Sequence, residues 1–415
     1  MPLTSDTRSC KAAANTAPLL ASVIVNNYNY GKFLPQAIDS ALEQTYPRVE
    51  VIVVDDGSTD DSREIISRYD SRIRPLLKSN GGQASALNAG FTASHGDVVL
   101  FLDADDFLYP SAVANVVDLF CESAIAKVHW PLAIIDRDGV TTGETRPPHP
   151  LPEGDFRQQV LERGPSNVAS SPTSGNAWSR QFLQRILPIP EDVAYYRLCA
   201  DEYLFTLAPV FGRVRTISQP QGCYRIHGEN VYSGRSFRQK LDLELEGYDA
   251  QCRALGAALA RNGMAVDVDS WRKHSWFHRL DRAVSDILAV VPESSEFVLV
   301  DGTTWGAPRE FAGRRVRPFL ELDGMDGGPP ADDEAAIRRL TTLLADGTQF
   351  LAVAWPCFWW FDEYAGWSKL LQRAAGCVLS NDVVAIFNLK EQPATPAVPL
   401  GNDSATIAGG GSDDA

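Results

Sequence analysis

The sequence predicts an α/β protein: a mainly parallel sheet flanked by helices, then a helical connector, then a second, smaller α/β unit. Three observations carry this prediction. Between residues 21 and 103, short apolar runs alternate with amphipathic stretches of helical period, the pattern of parallel strands joined by crossover helices. Two of those runs, "VEVIVVDD" (49–56) and "VVLFLDADD" (98–106), end abruptly in acids. The same alternation returns between residues 296 and 389, after a long helical stretch.

Each element has its own signal. "ASVIV" (21–25) is a short buried strand, and "GKFLPQAIDSALEQ" (31–44) sets Phe33, Leu34, Ala37, Ile38, Ala41 and Leu42 on one helical face. "VEVIVVDD" is the second strand. "STDDSREIISRY" (58–69) opens with capping residues and first-turn acids that suit a helix N-terminus. "IRPLL" (73–77) is a third strand, "GQASALNAGFTAS" (82–94) a third helix and "DVVLFLD" (97–103) a fourth strand. Ligands of such sheets bind beyond the carboxyl ends of the strands. Asp55, Asp56, Asp103, Asp105 and Asp106 therefore share the ligand edge.

Beyond this point the pattern changes. "SAVANVVDLFCES" (111–123) is a helix, and "KVHWPLAIIDRDGVTTGE" (127–144) a hairpin turning at Asp138-Gly139. A Pro- and Gly-containing stretch to about residue 170 reads as a mobile loop. "CADEYLFTLAPVFG" (199–212) is helical, with Leu204, Ala208 and Phe211 inward. Leu241, Leu245, Tyr248, Cys252, Leu255 and Leu259 then form a heptad seam. Its shortness favours packing within the chain over a coiled-coil dimer. "EFVLVD" (296–301), "QFLAVAWP" (349–356), "CVLSN" and "VVAIFNL" supply later strands; "DDEAAIRRLTTLLADG" (332–347) and "FWWFDEYAGWSKLLQRA" (358–374) supply helices. Phe358, Trp359 and Trp360 read as core rather than as a ligand-stacking platform.

Bulk properties narrow the function. The 415 residues carry a formal net charge of −15. That excludes a nucleic-acid partner, which needs clustered cations, but not a small anion held by amides or a metal. Seven cysteines with no CxxC pair indicate thiols in a cytoplasmic protein rather than a disulfide framework or zinc site. Residues 1–18 lack the apolar core of a secretory signal, and no apolar run reaches the length of a membrane span. The expected location is the cytoplasm, with peripheral membrane contact open.

Paired aspartates at a strand end repel unless a cation neutralises them. Oxygen donors suit Mg²⁺ or Mn²⁺, which keep positions open for phosphate. Asp103 and Asp105, with Asp106 behind them, are thus a candidate metal–diphosphate site; a solvated turn or a cap for the helix near Ser111 is the other reading.

"ASVIVNNYNYGKFLPQAIDSALEQTYPRVEVIVVDDGSTDDSREII", "NGGQASALNAG", "GDVVLFLDADD" and "RLCADEYLF" occur in that order. Together they resemble the inverting family-2 glycosyltransferases, whose catalytic domain has the GT-A fold. The resemblance covers residues 19–235. It implies that Asn26 and Tyr28 lie beside the nucleotide base, Tyr28 as a stacking face. It gives Asp56 the base imide, with Asp55 supporting the turn, and sets Gly82 and Asn88 near the nucleotide. Leu87 stands where many members have Arg. The resemblance further gives Asp103 to ribose and metal, and Asp105 to the metal directly. His227, in "YRIHGEN" (224–230), is a candidate third metal ligand or diphosphate contact, with a surface histidine closing a loop as the other reading. Gly175 and Asn176, in "TSGNAW" (173–178), occupy the place of the loop under the donor sugar. Asp201 matches the general base, with Glu202 the competing choice.

The implied function is a metal-dependent inverting transfer of a sugar from a nucleotide-diphosphate donor, UDP- or dTDP-linked, to an acceptor hydroxyl in glycan or cell-surface polysaccharide synthesis. The cofactor is Mn²⁺ or Mg²⁺; the acceptor is a glycan, a lipid-linked sugar or another hydroxyl. A catalytically inactive nucleotide-sugar binder or scaffold of the same fold is the alternative. A nucleotidyltransferase is disfavoured, since "NNYNYGK" is not a Gly-rich basic loop. The domain layout expected is a disordered 1–18, a GT-A domain 19–235, a helical connector 236–289, an accessory α/β domain 290–390 and a disordered tail 391–415. "VDGTTWG" (300–306) has too few glycines for a methyltransferase cofactor loop, so the second domain reads as a non-catalytic packing or partner-binding unit.

Overall fold

The computed structural model describes residues 18–391 except 123, 229–233, 307–309 and 323–324. Residues 1–17 and 392–415, which the sequence assigns to disordered ends, lie outside the described residues. The chain divides into two units: residues up to 231 with 250–266, and 232–249 with the residues from 267 onward.

In the first unit, β1 (Ala21–Asn27), β2 (Val49–Asp56), β3 (Arg74–Lys78) and β4 (Val98–Asp103) run parallel. After β5 (Phe107–Leu108) come β6 (Ile125–His129), β7 (Leu132–Ile135), β8 (Thr141–Arg146), β9 (Asn176–Ser179), β10 (Arg213–Thr216) and β11 (Gly222–Arg225). The main sheet has the order β10-β6-β9-β4-β1-β2-β3, with β9 antiparallel to both neighbours. A second sheet has the order β5-β11-β7-β8; its β7–β8 arm is a hairpin through Asp138-Gly139, while 125–129, partly within the expected hairpin, form β6 of the main sheet. Helices α1 (Leu34–Leu42), α2 (Ser62–Ser67), α3 (Gln83–Ala93), α4 (Ala112–Val117), α5 (Arg157–Arg163), α6 (Arg180–Ile186) and α7 (Asp201–Phe211) connect the strands. Val23, Ile24, Val25, Phe101 and Leu102 are all buried, so the central strands are covered on both faces, as an apolar parallel sheet requires. Gly90 lets α3 lie against Ile24; a Cβ there would come within 2.4 Å of the Ile24 side chain.

The long helix α8 (Phe237–Arg261) has residues 237–249 in the second unit and 250–261 in the first, and is followed by α9 (Val268–His274) and α10 (Trp276–Val290). Leu241, Tyr248, Cys252, Leu255 and Leu259 of the heptad seam are buried within the chain, which is core packing. The second unit has β12 (Glu296–Val300), β13 (Glu310–Phe311), β14 (Arg314–Pro318), the ribbon β15 (Glu321–Leu322) and β16 (Met325–Asp326), then β17 (Phe350–Ala354), β18 (Gly376–Ser380) and β19 (Val384–Asn388). Its sheet order is β13-β14-β12-β17-β19-β18, parallel at its centre. Helices α11 (Asp333–Ala345), α12 (Trp360–Glu363) and α13 (Ala365–Ala374) complete it.

Four expectations need correction. α2 begins only at Ser62; the polar run before it also serves the residues after β1, Ser58 Oγ accepting from Asn29 N and Asp60 Oδ2 from Gly31 N, while Asp60 Oδ1 accepts from Ser62 N. Of the helix expected over 111–123, the described residues form only the short α4 and a 3₁₀ turn. The stretch read as a mobile loop contains α5, anchored by buried Val160 and stopped by Gly164 at φ 84°. The 358–374 helix breaks at Tyr364, whose ψ of 66° is not helical. Trp360 and Trp367 enter the core there, but Trp359 is 47% exposed.

Candidate active site

Strand register assembles the site. Asn26 pairs with Asp103 and Asn27 with Asp55, so the polar ends of β1, β2 and β4 meet at one edge. Asn26 Nδ2 donates to Asp103 Oδ1 at 2.6 Å. The Asp103 amide donates to Ser174 Oγ, which itself donates to Asp106 Oδ2 at 2.6 Å. The Arg225 amide reaches the other Asp106 oxygen, and the Arg225 guanidinium donates to the Asp105 carbonyl. His227 Nε2 lies 2.9 Å from Asp105 Oδ2, its ring packed against Tyr30 and Phe33.

Asp201 stands in the first turn of α7, where the helix dipole favours a carboxylate. Thr173 Oγ1 donates to Asp201 Oδ2 at 2.9 Å, and the Glu202 amide to Oδ1. Thr173 and Ser174 are adjacent, so one short turn ties the strand-end acids to the start of α7. The candidate base and the candidate metal acids, about a hundred residues apart in sequence, thus belong to one site.

The chain matches the family described as glycosyl transferase family 2 over residues 22–176. An uncharacterized glycosyltransferase of Nostoc sp. is 38% identical over 269 residues, 62% of this chain and 83% of that protein. The chain belongs to glycosyl transferase family 2. It is also similar to glycosyltransferase GlyG of Streptococcus pneumoniae, 43% identical over 101 residues, 23% of this chain and 34% of that one. Among solved structures, S. aureus TarS 1–349 in complex with UDP-GlcNAc is 18% identical, covering 66% of this chain and 82% of that one at a TM-score of 0.40. The mannosyltransferase PcManGT from Pyrobaculum calidifontis in complex with GDP-Man and Mn²⁺ is 20% identical, covering 68% and 80% at a TM-score of 0.40. Those two likenesses are loose, and the family rests on the sequence matches.

In this family-2 glycosyltransferase the acids are held against their mutual repulsion. Burial first, then the charges of Asp105 and Asp201, push the Asp103 carboxyl up to about 7. Asp106 is raised well above the usual range by burial and by Asp105 and Asp103. Asp201 is raised by burial, against the hydrogen bonds of Thr173 and Glu202 and the charge of Lys127. Among the described residues, no three His, Cys, Asp or Glu side chains converge as a ready-made metal cage. The donor set nevertheless fits a hard divalent cation that keeps open positions: the carboxylates of Asp103 and Asp105, the His227 imidazole 2.9 Å from Asp105, and Asn26 Oδ1 buried without a partner.

The remaining expected residues fall into two groups. Tyr28 is 47% exposed at the end of β1, free to present its ring. Asp55 is buried under the turn, accepting from Asn27, Ser58 and Arg63. Asp56 is clasped by Lys78 and by the amides of Gly81 and Gly82. Asn88, by contrast, uses both ends of its amide on the 189–191 segment, donating to Ile189 O and Glu191 and accepting from Ile189 N. Asn176 is buried, with its amide nitrogen on the carbonyls of Ser171, Pro172 and Thr173. Gly175 is where a Cβ would collide with Ser171 Oγ. In the same segment Thr173 and Ser174 present their side chains to the acids. His129 and Trp130 are fully buried. Leu87 is core.

Sequence reasoning missed Lys127. It is buried on β6 with its ammonium bonded to Ser170 Oγ and lying 4.7 Å from the Phe205 ring. Burial pulls it down to about 7, while Glu202 and Asp201 act in the other direction. The only signal in the sequence is one cation inside the apolar run "IAKVHW".

Proposed function

We propose that this protein is a metal-dependent, inverting glycosyltransferase that uses a nucleotide-diphosphate sugar, with UDP- or dTDP-linked donors favoured. The observation that carries the reading is the Thr173–Ser174 turn, which holds Asp201 beside the Asp103–Asp106 acids. Asp201 takes the proton of an acceptor hydroxyl as that oxygen bonds to the sugar C1. The bond from C1 to the diphosphate oxygen breaks on the opposite face, its electrons leave with the nucleotide diphosphate, and the anomeric centre inverts. Alignment of donor and acceptor supplies much of the acceleration. Asp103 and Asp105, with His227, would hold Mn²⁺ or Mg²⁺, which when bound supplies charge neutralisation for the leaving diphosphate. Tyr28 stacks on the base and Asp56 accepts from its imide.

The acceptor is a hydroxyl of a glycan or lipid-linked saccharide in polysaccharide synthesis. No helix among the described residues is long and apolar enough to cross a membrane, and we place the enzyme in the cytoplasm or peripherally at a membrane. Residues 290–390 serve as an accessory domain behind the 19–235 transferase domain and the 236–289 connector.

The test is incubation with Mn²⁺ and a panel of UDP-, dTDP- and GDP-sugars, following nucleotide release with candidate acceptors. Turnover with one donor supports the proposal. Donor binding without turnover, at every metal concentration and with every acceptor, would favour an inactive nucleotide-sugar binder. Absence of both binding and turnover would sink it.

A further inference from the structure

Resting on the reading of Asp56 as the residue that meets the base, the geometry points to Lys78 as a second determinant of nucleobase choice. Lys78 ends β3 and pairs in parallel register with Asp56 at the end of β2, so the two side chains rise from the same face of the sheet. Lys78 Nζ sits 2.6 Å from Asp56 Oδ1 and also donates to the Ser79 carbonyl at 2.8 Å. The Gly81 amide is shared between the two Asp56 oxygens at 3.0 and 3.1 Å, and the Gly82 amide holds Oδ2 at 2.7 Å. Gly82 has φ 86°, and a Cβ there would strike Arg197, so only glycine brings its amide this close to Asp56. Oδ2 is therefore committed to backbone. The movable partner is Lys78, on the Oδ1 side, and its side chain is 24% exposed against 4% for Asp56.

A carboxylate has about four acceptor positions; here three donors, one of them shared between both oxygens, already cover a side chain that is 4% exposed. A base can enter only by displacing a donor, and the ammonium on its flexible stem is the donor that can move. As it shifts, Lys78 frees one position on Oδ1 and remains beside it as a donor. The edge thus offered is one acceptor flanked by a donor. Uracil and thymine match it: the imide N–H meets Asp56 and the neighbouring carbonyl meets Lys78. Guanine brings two adjacent N–H donors, the second of which finds Oδ2 already occupied by Gly81 and Gly82. Adenine and cytosine direct a ring-nitrogen lone pair at the carboxylate. An unsatisfied or opposed polar group in a desolvated site is the costly outcome, so Lys78 and Asp56 together select an imide-bearing pyrimidine.

The experiment is calorimetric titration of the full chain with UDP, dTDP, GDP and ADP in Mn²⁺, for the wild type, Lys78→Met and Lys78→Arg, with thermal melting to confirm folding. The wild type should prefer UDP or dTDP over GDP by about tenfold or more, the worth of a misplaced hydrogen bond. Lys78→Met should erase most of that ratio, and Lys78→Arg, which keeps the charge, should retain part of it. A ratio unchanged in Lys78→Met, or equal losses for every nucleotide, would mean that Lys78 only anchors Asp56 and overturns the inference while leaving the donor reading intact. A wild type that prefers GDP would also overturn it. A wild type that binds no nucleotide would overturn the donor reading and this one with it. If Lys78→Met fails to fold, Lys78→Gln carries the same comparison.

Discussion

Two sheets in this chain end in acids at the carboxyl edge of a central parallel strand, and the acids are treated in opposite ways. In the second unit β12 runs into Asp301, whose carboxylate accepts the amides of Thr303 and Trp305 in its own turn. Burial raises its pKa, and those local N–H bonds work against the rise. In the first unit β4 runs into Asp103, whose carboxylate faces two more, Asp105 and Asp201, and is raised by both. One acid is satisfied by its own loop; the other is crowded by residues from distant parts of the chain. An acid that closes a turn is structural, whereas acids gathered against their repulsion ask for a cation, a proton or a substrate.

The sharpest way to break this contrast is Asp201→Asn. Turnover should fall by about 10²–10⁴-fold, the range for removing a general base, with nucleotide-sugar affinity near normal in calorimetry. Equal loss of binding and turnover would show that Asp201 holds the donor instead. A base works only when deprotonated, and Asp201 is raised. The acid limb of kcat should therefore lie above the ordinary carboxylate range, with activity falling as pH drops through it.

Lys127→Met should move that limb further up, because the buried charge that favours ionised Asp201 is gone. A profile that merely drops in height, without moving, would reduce Lys127 to a packing residue.

Asp103 predicts a stability effect. Its folded pKa of about 7 lies above the unfolded value, about 3.9. Between the two the folded protein holds a proton that the unfolded chain has lost. Its contribution is therefore fully present below the unfolded value and is lost as pH rises through the folded one. Metal-free protein should melt progressively lower across that window, Asp103→Asn should flatten the trend, and Mn²⁺ should raise the melting point most at its upper end. Melts in a chelator and in Mn²⁺ measure all three.

The smallest effect belongs to the other sheet. Asp301→Ala strands two amides, at a cost of about 1–3 kcal/mol, visible as a lower melting temperature, with turnover unchanged. Lost turnover at intact stability would erase the contrast between the two edges.

Much of the scaffold was legible locally. The apolar runs of β1, β2 and β4 announce strands, and acids at their ends announce the ligand edge, because a strand written in Val, Ile and Leu that stops on Asp has few other readings. Boundaries were less legible. Ser58 and Asp60 resemble helix caps, yet Ser58 Oγ accepts from Asn29 and Asp60 divides its two oxygens between Gly31 and Ser62, a choice made partly by residues not adjacent in the chain. Tyr364 breaks an amphipathic pattern that continues unbroken in sequence. Asn88 and Asn176 were placed by position along a motif, and their amides turned out to be spent on neighbouring backbone.

By itself, then, the sequence determined the α/β architecture, the family and the identity of the acids, since hydrophobic period and chain order act locally and survive in one dimension. Tertiary structure alone decided how those acids are held. Thr173 and Ser174 join Asp201 to Asp103 and Asp106, Lys127 lies buried by the base, and Lys78 takes the carboxylate of Asp56. Each of these depends on strand register and on burial. Register sets which side chains meet, and burial sets how strongly their charges are felt.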